Sequence, residues 1–242
     1  MDLLEASNLS PDEEFDHWWV MTRFHYVEQV LALAALRAET LSVIEFGCGT
    51  GQNLRFCRER SRFRKRIAGV FGVDPGLATS MHYEWMRSGD HVDPDVNTDT
   101  LHDVLLAMDV LEHIEDDIGA LSQWLTHVKS GGYVLVTTPA FSWLWSNHDD
   151  LLGHVRRYTR STLERLAAQC GLERIRSRYA FGYTLPIVIG VRKLLRPKNE
   201  ATDLQGHGAL VNWLFTRAGR IEALTGWNRW AGTSVVGVFR KP

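Results

Sequence analysis

The sequence has few cysteines, no long apolar run and little net charge. Its three cysteines form neither a paired disulfide framework nor a Cys-x-x-Cys metal motif. No stretch reaches the roughly 20 apolar residues that span a bilayer. A formal net charge of -2 gives no footprint for wholesale nucleic-acid binding. Residues 1–5 are acidic and lack a signal-peptide pattern, so we expect a cytoplasmic protein with no nucleic-acid partner.

The remaining composition is that of an ordinary globular domain. Of the 242 residues, 45% are hydrophobic and 23% are charged, which is enough to bury a sizeable core. We expect a single domain over residues 1–242. Its parts are an N-terminal helical cap at 1–39, a core of sheet and helices at 40–181 and 232–242, and a helical insertion at 182–231.

A glycine-rich turn between a strand and a helix organises the chain. The apolar run 41–46 contains Glu45, and Gly47, Gly49 and Gly51 then alternate with small residues before a helical pattern begins. Glycine allows backbone conformations and close approaches that a Cβ would block. The N–H groups at the helix start favour a nucleotide-like ligand or a carboxylate. Glu45 can accept hydrogen bonds from a cationic amine, which suits an amino-acid-bearing nucleoside better than a diphosphate.

The glycine spacing separates this turn from two other nucleotide-binding motifs. A dinucleotide fingerprint has its third glycine at the sixth position, which is Gln52 here. A P-loop continues with Gly-Lys-Ser/Thr, whereas Gly51 is followed by Gln52 and Asn53. The pattern acid-x-Gly-x-Gly-x-Gly instead resembles motif I of the class I S-adenosylmethionine-dependent methyltransferases. The alternative is a glycine turn that only packs a strand on a helix.

The strand and helix patterns, with this resemblance, predict a Rossmann-like α/β fold. Its sheet is seven-stranded and mostly parallel, with helices on both faces and an antiparallel last strand. An N-terminal helical layer begins at the capping box of Ser10 and Glu13, and a helical insertion separates strands six and seven. The expected strands lie at 41–46, 67–74, 90–94, 103–109, 133–139, 173–179 and 233–239.

The motif and the strand ends supply the expected S-adenosylmethionine site. Asp74 ends the second strand, where an acid can accept both ribose hydroxyls, or is only a turn residue. The segment 109–114 resembles the floor of the methyltransferase pocket. Arg23, one helical turn from Trp19, either binds the cofactor's carboxylate or is a snorkelling residue of a core stripe. The expected cofactor-binding residues are Arg23, Glu45, Gly47, Cys48, Gly49, Gly51, Asn53, Asp74, Pro75, Met108 and Asp109.

The segment 140–159 after the fifth strand is the most unusual in the chain. It holds two tryptophans, two histidines, two acids and two arginines, and loops at such positions carry function. The patterns Trp-Leu-Trp-Ser-x-His-Asp and Leu-Gly-His-x-Arg-Arg-Tyr-Thr resemble a bacterial methyltransferase subgroup, in which a Trp-rich N-terminal helix also recurs. The residues expected to contact the substrate are Trp19, Trp143, Trp145, Arg157 and Tyr158.

Methyl transfer from a sulfonium needs mainly positioning and exclusion of water. We favour a hydroxyl acceptor over an amine. A histidine is a suitable general base for a hydroxyl acceptor. His148 beside Asp149 is the first candidate, followed by His154 and His113, and the alternative for each histidine is a structural role. Together with Glu112 these residues could instead bind zinc or iron, but they lack His-x-x-x-His or Glu-x-x-His spacing, so we assign no metal.

We predict a methyltransferase that acts on a small-molecule or lipid- or sugar-linked acceptor. One alternative is a nucleotide-dependent oxidoreductase, which Gln52 and Glu45 disfavour. The other is a non-catalytic cofactor-binding partner protein, which the intact motif disfavours. We interpret the basic segment 183–198 as part of the helical cap. The alternatives are that it contacts an anionic membrane surface or a second copy of the chain.

Overall fold

A seven-stranded sheet runs through the part of the chain that this computed structural model describes, which is residues 10–96, 99–190, 208–226 and 230–242. The spatial order is β3-β2-β1-β4-β5-β7-β6. Strands β1 to β5 are parallel, and β7 is antiparallel to both β5 and β6. The Rossmann-like sheet with an antiparallel last strand is therefore confirmed. In chain order the strands are β1 Leu41–Phe46, β2 Ile67–Val73, β3 His91–Asp93, β4 His102–Met108, β5 Val128–Pro139, β6 Glu173–Ala180 and β7 Ser234–Arg240.

Helices bury apolar side chains against both faces of the sheet. One face carries a cluster that includes Val27, Leu31 and Leu54, and the other carries a cluster that includes Leu121 and Leu163. Short 3-10 helices lie at Leu111–His113, Leu125–His127 and Ser142–Leu144. The α-helices are α1 Pro11–Phe15, α2 Trp18–Ala35, α3 Gln52–Glu59, α4 Asp117–Trp124, α5 Asn147–Leu151, α6 Arg160–Gln169, α7 Leu185–Ile189 and α8 Ala209–Thr225.

The N-terminal layer begins as its sequence predicts. The Ser10 backbone N–H donates to Glu13 Oε2 at 3.0 Å, and Ser10 Oγ accepts from the Glu13 backbone N–H at 3.3 Å. Pro11 occupies the first helical turn, where its missing N–H costs nothing. The layer consists of two helices, because α1 ends at Phe15 and the side chain of His17 caps α2.

The fifth strand begins earlier than the sequence predicts. It was expected at 133–139, directly after Gly131 and Gly132, and the preceding helix α4 ends at Trp124. Val128 already belongs to β5, so the strand begins before the glycine pair that was expected to precede it. Gly131 has a φ of +79°, and the pairing of β5 with β4 shifts register in this stretch. The glycines therefore mark an irregularity within the strand.

The insertion between β6 and β7 packs on the N-terminal layer. Helix α8 approaches α2 so closely that a Cβ added to Gly219 would lie 2.0 Å from Thr22 Oγ1. Asn212 Oδ1 accepts from the Trp18 backbone N–H at 2.7 Å, which fixes α8 to the start of α2. Residues 191–198, the basic part of the segment proposed for membrane contact, lie outside the described residues. A search of the described helices finds none long and apolar enough to span a bilayer.

Candidate active site

The glycine turn after β1 has the backbone conformation that its sequence predicts. The three glycines of the turn have positive φ values, which are +68° at Gly47, +51° at Gly49 and +75° at Gly51. Residues with a Cβ rarely adopt this backbone conformation. A Cβ on Gly47 would lie 2.5 Å from Val110 Cγ2, on the segment that follows β4. The turn therefore brings bare backbone to the carboxyl ends of β1 and β4.

Glu45 is a fully buried acid beside this turn. Its Oε1 accepts a hydrogen bond from Asn53 Nδ2 at 2.6 Å, whereas Oε2 has no partner among the described residues. Burial raises the pKa of Glu45 to about 7. A buried carboxylate oxygen without a donor is costly, so this atom suits the ammonium group of a ligand.

Asp74 lies on the other side of the turn, directly after β2. Its Oδ2 accepts from the Gly49 backbone N–H at 2.7 Å, and its Oδ1 accepts from the Gly76 backbone N–H at 2.8 Å. The turn, Glu45 and Asp74 thus form one continuous rim, with Cys48 buried beneath it and Pro75 exposed at its edge.

Arg23 connects the N-terminal layer to the end of β4. Its side chain is 2% exposed, and its Nη2 donates to the Met108 backbone carbonyl at 3.0 Å. Its Nη1 lies 3.6 Å from Asp109 Oδ2, and its guanidinium carbon lies 4.4 Å from the centre of the Trp19 ring. Its Nε has no hydrogen-bond partner within the described structure. The expected pairing of Trp19 with Arg23 is therefore present. Arg23 also contacts Met108 and Asp109, two further residues that the sequence analysis predicted at this site.

Three residues other than glycine have positive φ values among the described residues, and all three follow strands. Asp109 follows β4, Phe141 lies just after β5, and Phe181 follows β6, with φ values of +56°, +58° and +56°. Because β7 is antiparallel to both β5 and β6, the carboxyl ends of all three strands lie at one edge of the sheet. Such conformations cost free energy and cluster at functional sites. The edge that holds the glycine turn is therefore the candidate active site.

Aromatic side chains extend this edge beyond the rim formed by the turn, Glu45 and Asp74. Phe181 stacks against Trp19, with ring centres 6.3 Å apart, and Trp18 contacts both Phe181 and Tyr183 edge to face. The sequence singled out the tryptophans but not Phe181 or Tyr183. Their signal is the Phe-Gly-Tyr run directly after the sixth strand.

Asp149 is the centre of the loop that follows β5. It is fully buried and accepts from Arg157 Nε at 2.6 Å and from the Ser146 backbone N–H at 2.9 Å. Its Oδ1 lies 2.8 Å from His154 Nδ1. Burial opposes ionisation of Asp149, but hydrogen bonds from His154 and Arg157 outweigh burial and hold its pKa well below the usual range. The sequence analysis named His148, next to Asp149, as the first candidate for the general base. In the structure the Asp149 carboxylate is hydrogen-bonded to His154, the second candidate.

Two residues expected to bind substrate have structural contacts in the described loop. Arg157 donates two hydrogen bonds to Asp149 and a third, from Nη1, to the Ala140 carbonyl at 3.0 Å. The Tyr158 hydroxyl is buried and donates to Asp117 Oδ2 at 2.7 Å. These contacts anchor the loop through the polar groups of both side chains, and a role of Arg157 and Tyr158 in substrate binding stays a prediction.

Other candidate residues of this loop are more accessible. Trp143 is 49% exposed, whereas Trp145 is partly buried and donates from Nε1 to Asp150 Oδ1 at 2.9 Å. His148 lies on α5, next to Asp149 in the chain. A role for Trp143, Trp145 and His148 in substrate binding or catalysis stays a prediction.

His113, His154 and Glu112 form a cluster next to this loop. The two imidazole rings are 4.7 Å apart and nearly perpendicular. Glu112 is 1% exposed, and burial together with the Asp109 carboxylate raises its pKa well above the usual value. Potential ligand atoms of the three residues all lie within 4.8 Å of one another. The sequence named all three as candidate metal ligands but could not show that they meet.

Two further features of the site were not predicted. Glu14 is buried and accepts from Thr50 Oγ1 at 2.7 Å and from Gln52 Nε2 at 2.9 Å, so α1 is fastened to the glycine turn. Burial raises the pKa of Glu14. Trp85 walls the turn, because a Cβ on Gly51 would lie 3.2 Å from its ring. The only signal for Trp85 was an aromatic residue in a stretch without clear periodicity.

A sequence comparison identifies the family. The family model described as a methyltransferase domain matches residues 19–177, which is most of the chain and includes the glycine turn, both acids and the His154 loop. The chain belongs to this methyltransferase family. It is a class I enzyme whose cofactor is S-adenosylmethionine. No significant sequence match to a curated protein is found.

Solved structures of other proteins share the methyltransferase's fold. A Galdieria sulphuraria protein described as a sarcosine dimethylglycine methyltransferase is 13% identical, with a TM-score of 0.54 over 90% of this chain and 85% of that one. The plantazolicin methyltransferase BamL, solved with S-adenosylhomocysteine, is 11% identical, with a TM-score of 0.53 over 91% and 85%. The 4+2 cyclase SpnF is 16% identical, with a TM-score of 0.50 over 90% and 81%. At these identities the likeness shows the fold alone.

The methyltransferase's own residues fit its cofactor. The unpartnered Glu45 Oε2 suits the ammonium group, and the Asp74 carboxylate at the end of β2 suits ribose hydroxyls. The left-handed glycines keep bare backbone at the turn, which suits the close approach of a nucleoside.

Proposed function

We propose that this methyltransferase transfers the methyl group of S-adenosylmethionine to a hydroxyl oxygen of a small-molecule or lipid- or sugar-linked acceptor. The observation that carries the cofactor half of the proposal is the buried, unpartnered Oε2 of Glu45 beside three left-handed glycines. The acceptor half is supported by the aromatic edge of Trp19 and Phe181, which adjoins this turn through Arg23.

Each residue of the cofactor rim has a stated role in the proposal. Glu45, oriented by Asn53, accepts from the ammonium group, and Asp74 accepts from the ribose hydroxyls. Arg23 offers its unpartnered Nε to the carboxylate, because a hydrogen bond between two charged groups is stronger than one between neutral groups. The backbone of Gly47, Cys48, Gly49 and Gly51, together with Pro75, Met108 and Asp109, forms the walls against which the nucleoside lies.

Catalysis in this proposal depends on orientation and on exclusion of water. When bound, S-adenosylmethionine supplies a methyl group on a sulfonium, whose transfer forms an O–C bond, breaks the S–C bond and leaves the electron pair on sulfur. Trp19 and Phe181 keep water from the reacting atoms. Asp149 lies 2.8 Å from Nδ1 of His154, and His154 clusters with His113 and Glu112. We place the activation of the acceptor hydroxyl at this end of the site.

The cofactor assignment is tested by isothermal titration calorimetry with S-adenosylhomocysteine. We expect Glu45→Gln and Asp74→Asn each to weaken binding by tenfold or more, because a hydrogen bond to a charged group contributes about 1.5–3 kcal/mol. The matched control is Asp103→Asn, at the start of β4 and therefore at the opposite edge of the sheet. The affinity of Asp103→Asn should stay within about twofold of wild type. This change is much smaller than the one expected from losing a hydrogen bond to a charged group. Equal affinities in all four proteins would refute the proposed site.

A further inference from the structure

We propose that Glu112, His113 and His154 bind one divalent first-row transition-metal cation. The proposal deepens the proposed function and rests on it, because the cation would receive the acceptor oxygen. Two imidazole nitrogens and one carboxylate oxygen are a donor set that suits zinc, iron or manganese.

The positions of the three side chains are the first observation. Glu112 and His113 belong to the 3-10 helix after β4, and His154 comes from the loop after α5. The Val155 backbone N–H donates to the Glu112 carbonyl at 2.8 Å, so the two segments are joined at the cluster. The potential ligand atoms lie within 4.8 Å of one another. Ligand atoms around a tetrahedral zinc are roughly 3.4 Å apart at bonds of about 2.1 Å, so small side-chain rotations complete the site.

An independent observation is the state of the Glu112 carboxylate. The residue is 1% exposed, and its Oε2 has no hydrogen-bond partner in the described part of the chain. A buried oxygen of this kind costs free energy unless a donor or a cation meets it. A metal ion between Glu112, His113 and His154 would supply that partner.

The surroundings of His154 are those of a metal ligand. Its Nδ1 lies 2.8 Å from the Asp149 carboxylate, so Nε2 is the ring atom left to bind a cation. Asp149 is held in turn by Arg157 and by the backbone of Ser146. A carboxylate that orients a histidine through its other nitrogen is the usual support of a histidine ligand. This arrangement gives His154 a ligand's role in place of the general base's role expected from sequence.

The cluster lies beside the cofactor rim. The Val110 side chain, two residues before Glu112, limits the space at Gly47, and Asp109 lies 3.6 Å from Arg23. Three protein ligands leave a coordination position open for the acceptor oxygen. Coordination lowers the pKa of that hydroxyl, and its proton leaves to solvent. The resulting oxyanion forms the O–C bond as the S–C bond breaks with its electron pair retained by sulfur.

The test uses tag-free full-length protein that has been treated with chelator and dialysed. Titration with Co²⁺, followed by calorimetry and by visible absorption, should show one equivalent bound, and Zn²⁺ should compete for it. Glu112→Gln and the less buried His113→Ala should each weaken Co²⁺ binding at least tenfold. His91→Ala, which removes an exposed histidine on β3, should bind Co²⁺ as wild type does. Circular dichroism confirms that each variant is folded.

The outcomes separate this proposal from the proposed function. No stoichiometric Co²⁺ binding by wild type, or equal binding by the three variants, overturns the metal site. In that case unchanged binding of S-adenosylhomocysteine would leave the methyltransferase proposal standing. Loss of one equivalent of Co²⁺ binding in Glu112→Gln and His113→Ala, with S-adenosylhomocysteine still bound, supports the metal site.

Discussion

Gly47 combines a positive φ with little space for a side chain. It shares a positive φ with Gly171, which follows α6, at +68° and +76° respectively. A Cβ on Gly171 would meet nothing within 4 Å, whereas one on Gly47 would lie 2.5 Å from Val110 Cγ2. The two positions therefore have the same backbone requirement and differ in the space around them.

We expect Gly47→Ala to be worse than Gly171→Ala in both stability and cofactor binding. Both alanines should lose about 1–2 kcal/mol to the left-handed conformation. Only Gly47→Ala must also displace Val110 and the backbone that we propose lies against the nucleoside, so its affinity for S-adenosylhomocysteine should fall at least tenfold. Thermal unfolding and calorimetry measure the two effects. Similar affinities in the two variants would contradict this account of the turn.

Residues close together in the chain were predictable, and residues brought together by folding were not. The glycines and Glu45 form one local pattern, and Asp74 follows from the strand after it, so the rim could be inferred from sequence. The contact of Glu112 with the His154 segment joins parts of the chain that no periodicity relates. The same limit explains why the helix start at Ser10 and Glu13 was predicted, whereas the contact of Glu14 with Thr50 was not.

Elements were predicted where their patterns are long or their ends are marked by caps. The capping box of Ser10 and the acid after β2 marked real boundaries. The register shift between β4 and β5 left no such mark, so the start of β5 at Val128 was missed. Sequence patterns report which face is buried, and they do not report where a neighbouring strand forces an irregularity.

The loop after β5 depends on one buried ion pair. Asp149 is fully buried, and the Arg157 side chain is 4% exposed. Asp149→Asn should therefore destabilise the fold by roughly 3–5 kcal/mol, because it leaves a buried guanidinium without its counter-charge. Asp150→Asn is the matched control. Asp150 is exposed, and its carboxylate accepts a hydrogen bond from Trp145 Nε1. Its cost should stay within about 1 kcal/mol. Urea unfolding of both variants measures the difference, and equal costs would contradict the anchoring role.

The stability of the whole molecule should depend on the protonation of Glu45. Its pKa is about 7 in the folded chain and near 4.5 as a free side chain, so the folded state holds the proton more tightly. The resulting stabilisation is complete below pH 4.5 and is lost as the pH rises through 7. The shift corresponds to a change on the order of 3 kcal/mol.

Urea unfolding without cofactor from pH 5 to pH 8 tests this dependence. The free energy of unfolding of wild type should fall relative to that of Glu45→Gln as the pH rises, since the amide cannot ionise. Glu59→Gln, at the end of α3, removes a more exposed carboxylate and should follow wild type. A constant difference between wild type and Glu45→Gln over this range would show that burial of Glu45 does not govern the titration.

The position of β7 determines when the sheet can be completed. This strand is the last of the described strands and lies between β5 and β6, so it is the second neighbour of β5 and the one described neighbour of β6. The ribosome must pass residue 240 before these two strands are joined. Until then β5, which still pairs with β4, exposes unpaired backbone groups along one side, and β6 lacks its neighbour in the described sheet. A nascent chain arrested before residue 234 should therefore need a chaperone to stay free of aggregates, although it already carries the entire cofactor rim.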